Sequence, residues 1–164
     1  MKKSRILSMM LLFIFMCLPL ASAQRVNMSY LNGDKNFPSV YASGNAGNAF
    51  IDKSSLNVQL YNPPYYRIAA IIVHTSLDSN EIHRWDTVVY EYRWDNDNRR
   101  SMFYHTADGR NHYLDWKHPD MAGMRENSVG EAMFYLAYHK KLYGDISKEA
   151  TGEQGLYSRL DGTY

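Results

Sequence analysis

The chain is poor in the residues that usually announce chemistry. Its 164 residues include one cysteine, Cys17, set within an N-terminal apolar run. With that run removed no thiol remains, which excludes a disulfide framework, a thiolate metal site and a cysteine nucleophile. Neither sign of charge dominates, with 18 Lys and Arg against 17 Asp and Glu. Binding nucleic acid through its phosphates needs a basic face, so nucleic acid is not an expected partner. The six histidines form no His-x-x-x-His or His-x-His pair, the spacings that offer two metal ligands from one element. Gly-x-Ser-x-Gly and Ser-x-x-Lys are absent too, and with them the common serine nucleophile motifs. Gly44-Asn45-Ala46-Gly47 is followed by no Lys-Ser or Lys-Thr, as a phosphate loop requires, and reads instead as a hairpin turn.

The one long apolar run lies at the start. Residues 1–23 read as a signal peptide: Lys2, Lys3 and Arg5, then an apolar stretch over 6–20, then Ala21-Ser22-Ala23 before Gln24. Cleavage is expected between Ala23 and Gln24. A membrane anchor usually needs about 20 uninterrupted apolar residues, whereas Ser8 and Pro19 interrupt this run. A lipid-bearing cysteine would begin the mature chain, and Gln24 takes that place. The mature chain would have 141 residues (164 minus 23), with 15 basic residues (18 minus 3) against 17 acidic and a formal charge of −2. That is the usual size of one domain. The expectation is an exported protein, in the periplasm or at the cell surface, with no transmembrane helix in its mature part.

What the chain has is tyrosine, 14 of them, a residue that buries a ring while its hydroxyl stays wet. Over Thr87-Val88-Val89-Tyr90-Glu91-Tyr92-Arg93-Trp94 large apolar residues occupy every second position, the pattern of a half-buried strand. We take 82–94 as the middle strand of an antiparallel sheet. Strands are also expected at 39–43, 49–52, 56–61, 65–75, 99–106 and 111–116. Turns separate them at 44–48, at Asp52-Lys53-Ser54-Ser55, at Asn62-Pro63-Pro64, at 76–81, at 95–98 and at Ala107-Asp108-Gly109-Arg110. The alternation at 56–61 predicts that Leu56, Val58 and Leu60 share one face. Residues 117–127 read as a loop. Ser128-Val129-Gly130-Glu131 matches a capping box, and Val129, Ala132, Met133, Leu136 and Ala137 make one helical stripe. His139, Lys140 and Lys141 would close that helix, with Gly144 as its stop.

The fold expected is α+β: an antiparallel twisted sheet of about five to seven strands with one C-terminal helix packed on it. The domain spans 39–144, after a polar leader at 24–38 and before a mobile polar tail at 145–164.

Candidate sites are few. Asp95-Asn96-Asp97-Asn98 opens like a calcium loop, but Arg100 and Thr106 stand where Gly and Glu are needed, so it reads as a turn. His105 and His112 flank the Asp108-Gly109 turn and could face each other across a hairpin, though no third ligand is evident. No metal and no cofactor is expected. Trp, Tyr and Arg are enriched in binding hot spots, and Trp85 and Arg93 are the partner-binding candidates. The competing reading puts Trp94 and Trp116 in the core and Arg93 on a solvated face.

Several features together resemble the bacterial surface-adhesin protein E family. They are the leader, the early glycine turn, the phrase Phe50-Ile51-Asp52-Lys53-Ser54-Ser55-Leu56, and a closing segment over 116–136 containing Ser128-Val129-Gly130-Glu131-Ala132-Met133. The resemblance covers roughly 40–143. It implies a sheet carrying a helix and a role in the envelope or at the surface. The cysteines commonly present in that family's central strand and closing helix have no counterpart here. The leading expectation is a non-enzymatic cell-envelope protein that binds a protein or other macromolecule, as a surface adhesin does, through an exposed aromatic patch at Trp85 or along an unpaired sheet edge. The alternative is a periplasmic accessory or inhibitor domain acting on a soluble protein partner, by strand addition. A small hydrolase is a third reading. It needs a cleft holding at least two of Asp86, His105, His112 and Asp115.

Overall fold

The computed structural model describes residues 29–43, 47–76, 81–95, 97, 99–106, 108–144, 147–152 and 155–163. The expected signal peptide with its Ala23–Gln24 cleavage point lies outside them. So does most of the expected turn at 44–48.

Six strands succeed one another: β1 (Ser39–Ser43), β2 (Gly47–Asn62), β3 (Tyr65–Thr75), β4 (Ile82–Trp94), β5 (Arg100–His105) and β6 (Asn111–Tyr113). Each pairs antiparallel with the next, so order in space equals order in sequence. The main helix α1 (Met121–Tyr138) comes next, then two short helices, α2 (Ser147–Thr151) and α3 (Leu156–Leu160). This is the expected α+β fold, an antiparallel sheet with one main C-terminal helix on a face.

The alternation read in β4 is the axis of the core. Val88, Tyr90 and Tyr92 are buried with Ile68, Ala70 and Ile72 of β3 and Met102 of β5. A buried tyrosine needs a partner for its hydroxyl. Tyr92 Oη donates to Gly130 O and Tyr90 Oη to Glu126 Oε2, both at 2.8 Å. These bonds pin α1 across the sheet. Contact is so close that a Cβ on Gly130 would overlap Met102 Sδ and come within 2.8 Å of Tyr90 Cδ1.

Four expectations need correction. The first concerns the capping box. Helix α1 starts seven residues before Ser128, capped by Asp120, whose Oδ1 accepts from Gly123 N at 2.6 Å. Ser128 is buried in mid-helix and donates to Val40 O of β1. Glu131 does not reach back to the Ser128 amide. It accepts from Leu142 N (2.8 Å), Tyr143 N (3.1 Å) and Tyr157 Oη (2.5 Å), tying the chain beyond α1 to its middle. Residues 127–134 are all buried, because α1 is covered on more sides than the sheet alone.

The second correction comes from that cover. The expected mobile tail at 145–164 contains α2 and α3, and Ala150, Leu156 and Leu160 belong to the core. Arg159 is buried and donates from Nε to Ser39 O at 2.9 Å. The polar leader is likewise packed in its described part. Leu31 and Phe37 cover Phe50 and Val73 on the face opposite α1.

Third, Asp52-Lys53-Ser54-Ser55 is no turn. β2 runs straight through it as one strand with a wide bulge, five steps from Asp52 to Asn57 passing two steps of β3 from Ile71 to Ala69. Asp52 Oδ1 accepts from Ser54 N at 2.9 Å, the local bonding that mimics a turn. Ser55 Oγ accepts from Ile71 N at 2.7 Å, replacing the carbonyl that the bulge takes out of the ladder. Fourth, α1 ends at Tyr138 rather than Gly144. His139 caps it in the left-handed region with φ 50°.

Candidate functional site

Strands β2, β3 and β4 run past the C-terminal end of α1, and an open cleft of about 870 Å³ lies between them and the helix. Asn62-Pro63-Pro64-Tyr65 turns β2 into β3, as neither proline can continue a ladder. Trp94 N donates to Pro64 O at 2.9 Å, which fastens the end of β4 to this turn. Cross-strand pairing sets Tyr61 beside Tyr66, and the helix brings up Phe134 and Tyr138, one turn apart. The rings touch in a chain: Tyr61–Tyr66 at 5.7 Å, Tyr66–Tyr138 at 5.3 Å, Tyr61–Tyr138 at 5.6 Å, and Trp94–Phe134 at 5.8 Å. Burial raises the Tyr138 and Tyr66 phenols above their ordinary range, with the neighbouring tyrosines adding to it. Tyr138 Oη has no hydrogen-bond partner among the described residues.

The rim is charged with both signs. Arg93 Nε donates to Asp95 Oδ1 at 2.9 Å and its guanidinium lies 5.6 Å from the Tyr65 ring. Arg99 Nη2 donates to Asp97 Oδ2 at 3.2 Å. Asp95 N donates to Arg99 O at 3.0 Å between β4 and β5; Asn96 and Asn98 of the turn expected there lie outside the described residues. Lys140 completes the lining. Both carboxylates are held by guanidinium groups. The arrangement can stack planar or ring-bearing groups and pair a charged one at the rim.

The second cleft, about 40 Å³, lies near the far end of the same face between β3, β4, β5 and α1. His74 Nε2 sits 3.1 Å from Asp86 Oδ2, and Arg84 Nε donates to the same oxygen at 2.6 Å. Burial first and Arg84 second lower the His74 imidazole, and together they outweigh the pull of Asp86. Glu126 accepts from Arg125 Nη2 (2.7 Å) and from Tyr90. Burial, then Glu126, pushes the Tyr90 phenol well up.

The sequence candidates do not converge. Trp85 is 51% exposed, its ring edge-on to Phe37 at 6.2 Å, while Arg93 borders the large cleft. Eight residues of strand, about 26 Å, separate them. Trp94 and Trp116 pack against the core. His105 pairs with Asn111 and His112 with Tyr104, so the two imidazoles project to opposite faces and cannot share a metal. Asp115 accepts from Lys117 N at 2.9 Å and His118 N at 3.3 Å. Neither cleft contains two of Asp86, His105, His112 and Asp115, and no group of three or more His, Cys, Asp or Glu among the described residues is placed to hold a metal ion.

Sequence reading missed Tyr61, Tyr66, Phe134 and Tyr138, because tyrosine is an ordinary component of sheets. The available signal was a diproline turn flanked on both sides by tyrosine, with a second aromatic pair four residues apart in the helix.

No helix among the described residues is long and apolar enough to cross a membrane. Comparison of the chain with protein families, with curated proteins and with solved structures finds no match.

Proposed function

We propose that this is an exported, non-enzymatic cell-envelope protein that binds another macromolecule, with surface adhesion as its leading role. The observation that carries the reading is the aromatic cleft at the end of α1. Its walls are Tyr61, Tyr66, Trp94, Phe134 and Tyr138, and among the described residues its charged rim is ion-paired apart from Lys140. Aromatic rings supply large contact area at small cost in rotamer freedom, and Arg at the rim adds to it. The leader over 1–23 supports export. Arg93 keeps its role as a contact residue at the cleft rim, and Trp85 would be a separate, outlying contact.

Two measurements test this together. Protease added to intact cells is expected to digest the exported chain. Binding of the chain to immobilised host matrix is expected to fall about tenfold in Tyr61→Ser with no change in Tm, because Tyr61 is 66% exposed. Full protection of the chain on intact cells removes the surface role. Matrix binding that Tyr61→Ser leaves intact removes the cleft from it.

A further inference from the structure

A sheet with free edges must either hide them or pair them. At β1 the outer edge is hidden. Ser39 N donates to Ser29 O at 2.8 Å, Ser39 O accepts from Arg159 and Val40 O from Ser128. At the other side of the sheet β6 is three residues long, and a very short edge is itself a protection. Two edges remain, one on β4 and one on β2. β4 pairs with β5 only over 90–94, and its other stretch, 82–89, meets no strand there among the described residues but carries Arg84 and Asp86 as charged guards. β1 and the leader accompany β2 only as far as Lys53, whose amide donates to Asn36 O at 3.0 Å. From there on, over 54–62, the side of β2 away from β3 meets no other strand among the described residues.

This stretch reads Ser-Ser-Leu-Asn-Val-Gln-Leu-Tyr-Asn. It holds no charge and no proline, the two usual guards of an edge, and its only protection is its bulges. Pairing in register sets Val58 and Tyr61 on the face toward α1, opposite Ile68 and Tyr66, and Leu60 on the other face, opposite Arg67. All three are exposed, Val58 at 42% and Leu60 at 40%.

We propose that 54–62 pairs antiparallel with the same stretch of a second copy, about a two-fold axis near Val58, joining two six-stranded sheets into one. Charge selects this occupant. An edge without charge takes a strand without charge, and 54–62 meets that requirement against itself with no like charges brought opposite. Symmetry fits as well. A single unguarded edge per chain, paired with its own copy, gives a closed two-fold contact, so assembly stops at two rather than running into a fibre. The pairing would bury Val58 and Leu60 of both copies and leave the cleft accessible from its α1 side. It goes beyond the proposed binding role and does not depend on it.

Sedimentation of the chain as isolated from the exporting cell tests this, together with amide hydrogen exchange at low and high concentration. The expected result is a mass that doubles below about 100 µM, with slower exchange over 54–62 in the concentrated sample. Val58→Lys sets two ammonium groups together at the axis and should weaken the dimer about tenfold or more. Tyr113→Lys, an exposed change on β6, should leave it unaltered. A chain that stays monomeric to that concentration overturns the proposal. So does a dimer that Val58→Lys and Leu60→Lys both leave intact, or protection of 54–62 that appears only when a different protein is added.

Discussion

In the first half of β2, Ala49, Phe50 and Ile51 are buried. In the second half, Val58, Leu60 and Tyr61 stand in solvent. Both halves are rich in apolar residues and both form good ladders with β3. The difference lies in what surrounds them. Residues 47–51 have β1 on one side and β3 on the other, the core beneath α1 on one face, and Leu31 and Phe37 on the other. Residues 57–62 have β3 alone and, from the helix, the ring of Tyr138. The alternation over 56–61 predicts Val58 and Leu60 on one face, but the shift of register between them sets them on opposite faces, and the rest of the chain covers neither. One half therefore serves stability, and the other remains available for contact.

The comparison breaks most sharply under truncation. Ile51→Ala removes a fully buried side chain beneath the helix and should cost about 3 kcal/mol. Leu60→Ala should cost less than about 0.5 kcal/mol, as exposed substitutions do. Urea denaturation of the two variants gives both values. Equal costs would mean that the second half of β2 is covered in solution.

A smaller effect tests the cover itself. Gly130→Ala puts a methyl against Met102 and Tyr90, where α1 meets the sheet. Because Ala favours helices, propensity alone would make the change stabilising by about 1 kcal/mol. Overpacking opposes it by about 2 kcal/mol or more. The net expectation is a loss of about 1 kcal/mol or more, visible as a lowered Tm while far-UV circular dichroism is kept. A gain in Tm would show that the helix can lift from the sheet at no cost.

Legibility in the sequence divides along the same line. β3 and β4 were readable to the residue, since β-branched and aromatic runs that begin after Pro64 or end before Asp95 leave little choice. The large cleft was not, because it needs Tyr61 and Tyr138 from elements 77 residues apart (138 minus 61). The start of α1 was misplaced for a physical reason. Asp120 and Ser128 are both good caps with helix-forming residues after them, and choosing between them depends on Val40 O, which takes the Ser128 hydroxyl. The tail over 145–164 looked too polar to pack. Its apolar residues Ala150, Leu156 and Leu160 are nevertheless buried, with Thr151 and Arg159 beside them, and Glu131 and Ser39 receive polar groups from Tyr157 and Arg159. Composition averages over a segment and misses such sparse anchors.

The mildest test uses that buried carboxylate. Glu131 is raised above its ordinary value, with burial as the main cause; Tyr157 Oη, the Tyr143 and Leu142 amides and the Arg100 charge pull the other way. A raised folded value means that the folded chain holds this proton more tightly than the unfolded one. Its contribution to stability is full below the ordinary glutamate value of 4.5 and is lost as pH rises through the raised folded value. His74 acts in the opposite sense. Its folded value lies below 6.5, so its contribution is present above 6.5 and lost as pH falls through the lowered folded value. The two slopes have opposite signs, so the profile of the whole protein mixes them, and the effect is the smallest of the three. Subtracting the Tm profile of Glu131→Gln, which cannot titrate there, from that of the wild type isolates the carboxylate. The difference should decline from pH 4.5 upward. An increase would mean that the three donors hold the carboxylate as an anion strongly enough to outweigh its burial.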